Sequence, residues 1–464
     1  MSTLSKKLAR LREADLRPGD VAGATTGDVA VQPTNAPESS PQASVLSDVE
    51  LARRARIDEL RERVRALAAR APVVAKRASA EDRESALDSL PFVREEREDG
   101  AIDVRRQRYP VTARHGHVPL HSACDVRAES VALLTLDRSK IAPDLSRALY
   151  IDTETTGLNG GTGMMAFLVG AGRFEQRTFV VEQWFLRDPS DELAMLLSLR
   201  ERMAAASCLV SFNGKSFDLP LLRARFVMNR LEPPAPLPHV DLVHVARRIY
   251  GKRMDQCKLT SLERDVLGFV REGDVPSGEI PARYLRFLRL GDSDGLHAVV
   301  EHNLWDVIAM AALLGELGAR AGREESPGRL DPSDLAGLAQ TALRAGNDQL
   351  ALALAGDAMD RGALAVAHGA LARAGGIAAS VHRRRGEHTL SRLLLHTVLD
   401  GAPDDPGTHL ALSKLYEHRF KDPFRALAHA RLAEGAEKPA ARAKRVERLA
   451  TRVAKSTARL PGFE

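Results

Sequence analysis

The chain has 464 residues, more than one ordinary core accommodates, so two or three domains are expected. With 44% hydrophobic and 28% charged residues it is ordinary globular material, and a net charge of +5 with a pI near 9.2 raises the prior for a polyanionic partner only slightly. Three dispersed cysteines, Cys124, Cys208 and Cys257, argue against a disulfide framework or a cysteine zinc site and suit a reducing compartment.

Met1 to Arg12 carries Lys6 and Lys7 with no apolar stretch after them, so no secretory signal is read there. No apolar run is seen to approach the ~20 residues that cross a bilayer, and the cytoplasm is the expected location, with no membrane partner. No aromatic residue occurs before Phe92. Residues 1–47, rich in Pro, Gly, Ser and Thr, read as a disordered tail. In residues 48–91 a charged amphipathic helix is expected, because Leu51, Ile57, Leu60, Val64 and Leu67 recur at helical spacing. Residues 92–145 read as a β-rich lead-in.

Residues 146–318 then hold an α/β pattern. Ala148–Thr153 is an apolar run ending in acid, and Met164–Phe174 and Thr178–Leu186 are two further strand-like runs, together a three-stranded antiparallel meander. A helix follows from Asp188-Pro189 to about Ala205, then a buried strand at Cys208–Phe212 and a helix at Phe217–Asn229. Past a stiff loop of Pro233, Pro234, Pro236 and Pro238, helices are expected around 241–250, 258–267 and 294–317. Three antiparallel strands followed by alternating helix and strand is the element order of a ribonuclease H-like fold. Residues 319–330 form a breaker-rich linker. Residues 331–464 are Ala- and Leu-rich helices resembling tetratricopeptide-type repeats, with a final basic helix over Lys438–Arg459.

Three motifs carry chemistry. Asp152 and Glu154 lie two apart on a strand, so both carboxylates point the same way. Such a pair is costly unless a cation lies between them, although a strand ending in polar residues is the commoner reason for the spacing. Asn213-Gly214-Lys215-Ser216-Phe217-Asp218 joins a strand to a helix, where Asp218 could equally be a cap and Phe217 core. It is not a phosphate-binding P-loop, because Leu209 stands where that loop needs glycine. His302 and Asp306, four apart on a helix, share a face, which fits a ligand pair or an exposed polar stripe with Glu301 and Asn303. Trp305 is expected in the core.

In this order the motifs resemble those of the DEDD exonucleases of the ribonuclease H-like superfamily, and more closely the YprB-type ribonuclease H-like domain. The matching segments are Asp152-Thr-Glu-Thr-Thr-Gly157, Gly160-Gly-Thr-Gly163, Phe212–Asp218, Leu262–Gly268 and Glu301–Asp306. The resemblance implies a metal-dependent 3′→5′ exonuclease acting on single-stranded DNA or RNA, with two Mg²⁺ or Mn²⁺ ions held by Asp152, Glu154, Asp218 and Asp306. DEDD enzymes carry a Tyr four residues before the last Asp or a His five before it; here His302 stands at the Tyr spacing, as a general base, a water-orienting group or a phosphate ligand.

Thr155, Asn213, Lys215 and Arg223 are candidate substrate contacts within a basic stretch that includes Arg225, Arg247, Arg248, Lys252, Arg253 and Lys258. Asp241 is expected mainly to cap the next helix, with a supporting contact behind the site as the alternative, and His239 and His244 to be structural. Gly160–Gly163 is expected to permit a tight turn. Two other readings stand beside the exonuclease: a catalytically silent binding or scaffold protein, using its helical repeats for a protein partner and its basic helix for nucleic acid, and a structure-selective endonuclease on the same fold.

Overall fold

The computed structural model describes residues 79, 89–136, 143–157, 163–322 and 331–457. The expected tail over 1–47, the helix over 48–70 and nearly all of the Gly160–Gly163 turn lie outside the described residues.

The fold is built on one mixed sheet of seven strands in the order β1-β2-β7-β6-β5-β8-β9. The central strand is β5 (Ala148–Thr155), antiparallel to β6 (Ala166–Glu175) and parallel to β8 (Cys208–Ser211). Next to β6 lies β7 (Thr178–Phe185), and next to β8 lies β9 (His239–Asp241), a strand too short to show in the sequence pattern. The segment read as a lead-in is the far edge of this sheet: β1 (Val93–Arg97) hairpins onto β2 (Gly100–Pro110), and β2 pairs along β7. A separate hairpin, β3 (Arg114–His115) and β4 (Val118–Pro119), stands apart.

On β5, Ala148 and Tyr150 enter one buried apolar cluster and Leu149 and Ile151 another, as alternation requires. Helices α1 (Ala128–Thr135), α2 (Glu192–Ala205), α3 (Asp218–Met228), α4 (Leu242–Tyr250) and α5 (Leu259–Leu262, continuing as a π-helical turn over Glu263–Leu267) surround the sheet. Helix α6 (Ile280–Leu290) was not expected, although Ile280, Tyr284 and Phe287 are buried at helical spacing behind Pro281 in the first turn.

Helix α7 (Leu296–Gly322) is 27 residues long and central. Contrary to the sequence reading, it is long and apolar enough by length and composition to cross a membrane. Its most apolar window is 78% buried within the fold, the character of a core helix. Gly170 and Gly172 on β6 let it lie close. A Cβ on Gly170 would come within 2.3 Å of Asn303 Oδ1, and one on Gly172 within 2.6 Å of Val307.

Seven helices complete the described chain: α8 (Pro332–Ala345), α9 (Asp348–Leu364), α10 (His368–Arg384), α11 (His388–Gly401), α12 (Pro406–Leu415), α13 (Pro423–Leu432) and α14 (Pro439–Thr457). They form a helical array in which sequence neighbours pack on each other. The first is seated on α4, where Gly337 approaches the Ile249 carbonyl so closely that a Cβ would lie 2.3 Å from it. Arg253 donates twice to Asp334 at 2.9 Å, and Arg320 pairs with Glu316 at 2.7 Å and Asp334 at 3.5 Å.

The basic helix α14 spends much of its charge internally. Arg448 and Arg452 pair with the buried Glu417, and Arg445 pairs with Glu437 at 2.8 Å.

Candidate metal centre

The end of β5 is where the chemistry-bearing residues meet. Asp152 and Glu154 leave the strand on the side of Ala148 and Tyr150, where α7 lies; Thr153 leaves on the other, where α3 begins. The register shifts between Glu154 and Thr155, ending regular pairing at the site.

Asp152 pairs across the sheet with Gly170, and Asn303 of α7 covers both. Asn303 donates to Asp152 Oδ2 at 2.8 Å and accepts from Gln183 Nε2 at 2.9 Å, while Gln183 accepts from Arg105 at 3.3 Å. Far from lying on an exposed stripe, Asn303 is fully buried and His302 is 5% exposed. One turn of helix brings Asp306 beneath His302, and ligand-capable atoms of Glu154, His302 and Asp306 all lie within 4.8 Å of one another. Glu154 has no hydrogen-bond or ion-pair partner among the described residues.

Asp218 sits across the end of the strand at the first turn of α3 and accepts a hydrogen bond from the Thr153 hydroxyl. It is held there by the preceding turn, in which Asn213 has a left-handed backbone (φ 74°) and Gly214 leaves a Cβ only 2.5 Å from Ser211 Oγ. Asp241 clamps this turn, accepting from the backbone N–H groups of Asn213 at 2.8 Å and Lys215 at 3.0 Å while also capping α4 through Val243 at 3.2 Å. The expected cap is therefore also the brace of the Asp218 loop.

The acids disturb one another. Burial, then the neighbouring Asp306 and Asp218, push Asp152 well above the usual carboxylate range; burial, then Asp152 and Asp306, do the same to Glu154. Burial raises Asp218 to about 6 against the Thr153 hydrogen bond, which pulls it down. Such a set is unstable in its charged form without cations, and oxygen donors at this density suit Mg²⁺ or Mn²⁺.

One cation is built in, and the sequence reading did not anticipate it. Arg271 precedes α6 and its side chain is 4% exposed. It bonds Asp306 Oδ1, donates to Glu263 at 2.8 Å and lies 5.7 Å from the Trp305 ring centroid. Glu263 is itself fixed by His115 of the small hairpin at 2.7 Å. Asp274 meets His302 Nδ1 at 2.6 Å. Trp305 is thus a half-buried platform for Arg271, not the core residue expected.

The remaining sequence candidates divide. A narrow cleft of about 160 Å³ is lined by Thr153, Glu154, Asp218 and Ser277, with Phe217 at its edge 51% exposed. Thr155 lines it too, but its hydroxyl is engaged by the Gly157 carbonyl at 2.6 Å. Lys215 and Arg223 flank a separate groove walled by Pro233, Pro234 and Pro236 on the other side of α3. Of the basic stretch, Arg225, Arg248 and Arg253 are tied to Glu192, the Leu134 carbonyl and Asp334. His239 bonds Ser211 at 2.7 Å and is lowered by burial to about 4, while His244 is exposed at the helix surface.

Residues 149–317 match the ribonuclease H superfamily. Over 248 residues the chain is 33% identical to an uncharacterised protein of Bacillus subtilis (strain 168), YprB, an alignment covering 50% of this chain and 58% of that relative's length. A solved family B DNA polymerase from Pyrobaculum calidifontis overlaps 45% of this chain and 28% of its own, at 15% identity and a TM-score of 0.30, a likeness too slight to bear on the site. With its sheet order and its acidic strand end, the chain carries a ribonuclease H-superfamily domain over residues 149–317 and is similar to YprB over about half its length.

Proposed function

We propose that this chain is a metal-dependent nuclease acting as a 3′→5′ exonuclease on single-stranded nucleic acid. The observation that carries this is the convergence of Glu154, His302 and Asp306 within 4.8 Å, with Asp152 and Asp218 close enough to raise one another, and with Glu154 and Asp218 also lining a narrow cleft. Asp152, Glu154, Asp218 and Asp306 would hold divalent cations, Mg²⁺ or Mn²⁺. A cation there supplies positive charge against the developing charge on the phosphate and eases deprotonation of the attacking water.

The chain's own groups do the rest. Asn303 fixes Asp152, Arg271 fixes Asp306, and the Asp241 clamp fixes the loop that presents Asp218. Phe217, half exposed at the mouth, offers a face on which a terminal base can stack. His302 Nε2 can accept either a proton or a cation.

Conversion of a labelled single strand tests the reading. With Mn²⁺ or Mg²⁺, a ladder shortening from the 3′ end is expected, absent in EDTA and in Asp152→Ala. Internal cuts would identify an endonuclease. Binding without cleavage would identify a silent binding protein, a reading weakened by the internal pairing of the α14 arginines.

A further inference from the structure

We infer that His302 is itself a metal ligand, through Nε2, and that with Glu154 and Asp306 it forms a mixed nitrogen–oxygen site that prefers Mn²⁺ to Mg²⁺. This rests on the metal site proposed above, but not on nuclease activity.

The tautomer follows from Asp274. A carboxylate oxygen 2.6 Å from Nδ1 is a hydrogen-bond acceptor, so Nδ1 carries a proton and donates it to Asp274. Arg271 Nη1 lies 3.3 Å from the same nitrogen, but a nitrogen already carrying hydrogen cannot accept another. In the neutral ring the lone pair is therefore on Nε2, the atom facing Asp306.

The distances suit ligation better than hydrogen bonding. Nε2 is 3.6 Å from Asp306 Oδ2, beyond a hydrogen bond. That separation fits two donors each ~2.1 Å from a shared ion. Arg271 occupies Asp306 Oδ1 and leaves Oδ2 for that ion. Glu154, unpartnered among the described residues, supplies the third donor.

The surroundings match a ligating imidazole. Its other nitrogen is held by a carboxylate, the arrangement that orients metal-bound histidines and strengthens them as donors. His302 is 5% exposed on a rigid core helix, pre-positioned at the cost of mobility that a proton shuttle would use. Imidazole nitrogen favours first-row transition ions, whereas a carboxylate-only set suits Mg²⁺ equally.

The test uses the full-length protein stripped with EDTA and titrated with MnCl₂. Pulsed electron paramagnetic resonance of the bound Mn²⁺ is expected to show hyperfine coupling to a directly bound nitrogen, lost in His302→Gln. Asp274→Asn, at a 22% exposed side chain, is expected to weaken Mn²⁺ binding 10–100-fold while changing Mg²⁺ binding less. Bound Mn²⁺ without nitrogen coupling overturns the inference and leaves the nuclease reading standing. Failure to bind Mn²⁺ overturns it as well. Nitrogen coupling without cleavage of any strand upholds it and removes the nuclease reading. Should His302→Gln fail to fold, the wild-type spectrum and Asp274→Asn still decide.

Discussion

Replacing Asp218 by Asn should make the metal-free protein more stable, not less. The carboxyl is 9% exposed and rises on folding from 3.8 to about 6. Because the folded value is the higher one, the folded state holds more protons than the unfolded state between those limits. The stability this gives is complete below about pH 4 and is lost as the pH rises through about 6. Two units at ~1.4 kcal/mol each put the cost of the charged form at about 3 kcal/mol above pH 7. Asparagine keeps an oxygen to accept the Thr153 hydroxyl and removes the charge. Urea unfolding in EDTA, analysed by linear extrapolation, should show no gap between variant and wild type near pH 4. A gap of between ~1 and ~3 kcal/mol in favour of the variant should open by pH 7.5. Mn²⁺ at 100 times its dissociation constant should then stabilise the wild type by ~2.7 kcal/mol, and the variant by less. A variant no more stable than wild type at pH 7.5, or a gap that ignores pH, would refute the claim that these acids are strained without cations.

Arg271→Gln leaves Glu263 and Asp306 without their buried cation and should cost ~3–5 kcal/mol in EDTA, measured by the same unfolding; a loss under 1 kcal/mol would show the pair to be incidental. Gly170→Ala should cost ~1–3 kcal/mol by pushing Asn303 away, and should weaken Mn²⁺ binding by freeing Asp152. Phe217→Ser, at an exposed position, should leave the unfolding midpoint unchanged and weaken binding of a single-stranded oligonucleotide, read by fluorescence anisotropy. If the groove beside α3 guides the strand, replacing both Lys215 and Arg223 by Gln should flatten the slope of log affinity against log salt by ~1.4.

What the sequence disclosed was whatever short spacing carries. Asp152 and Glu154 on one face, Asp218 at a strand–helix junction and Asp306 one turn from His302 follow from periodicities of two and of three to four residues. What stayed hidden were pairings set by the tertiary fold. Arg271 and Asp274 lie in a loop with no periodic signal, and meet α7 only because α6 turns the chain back. Asn303 enters the sequence reading only as part of an alternative polar stripe with Glu301; two glycines on β6 show that the helix there presses onto the sheet. Helix α6 shows in the sequence only through Ile280, Tyr284 and Phe287, and the prolines and glycines around it mask that spacing.

The same helix that presents His302 and Asp306 carries in its last turn the arginine that pairs with Asp334 of the helical array. Fourteen residues separate Asp306 from Arg320, ~21 Å of unbroken helix. Leu304, Val307, Leu335 and Ala351 share one apolar cluster, so among the described residues the core runs on from α7 into the array. A chain shortened at residue 322 would strip the cover from α4 and from the far end of α7 together. The array is in that respect part of the core that seats the end of α7 and α4.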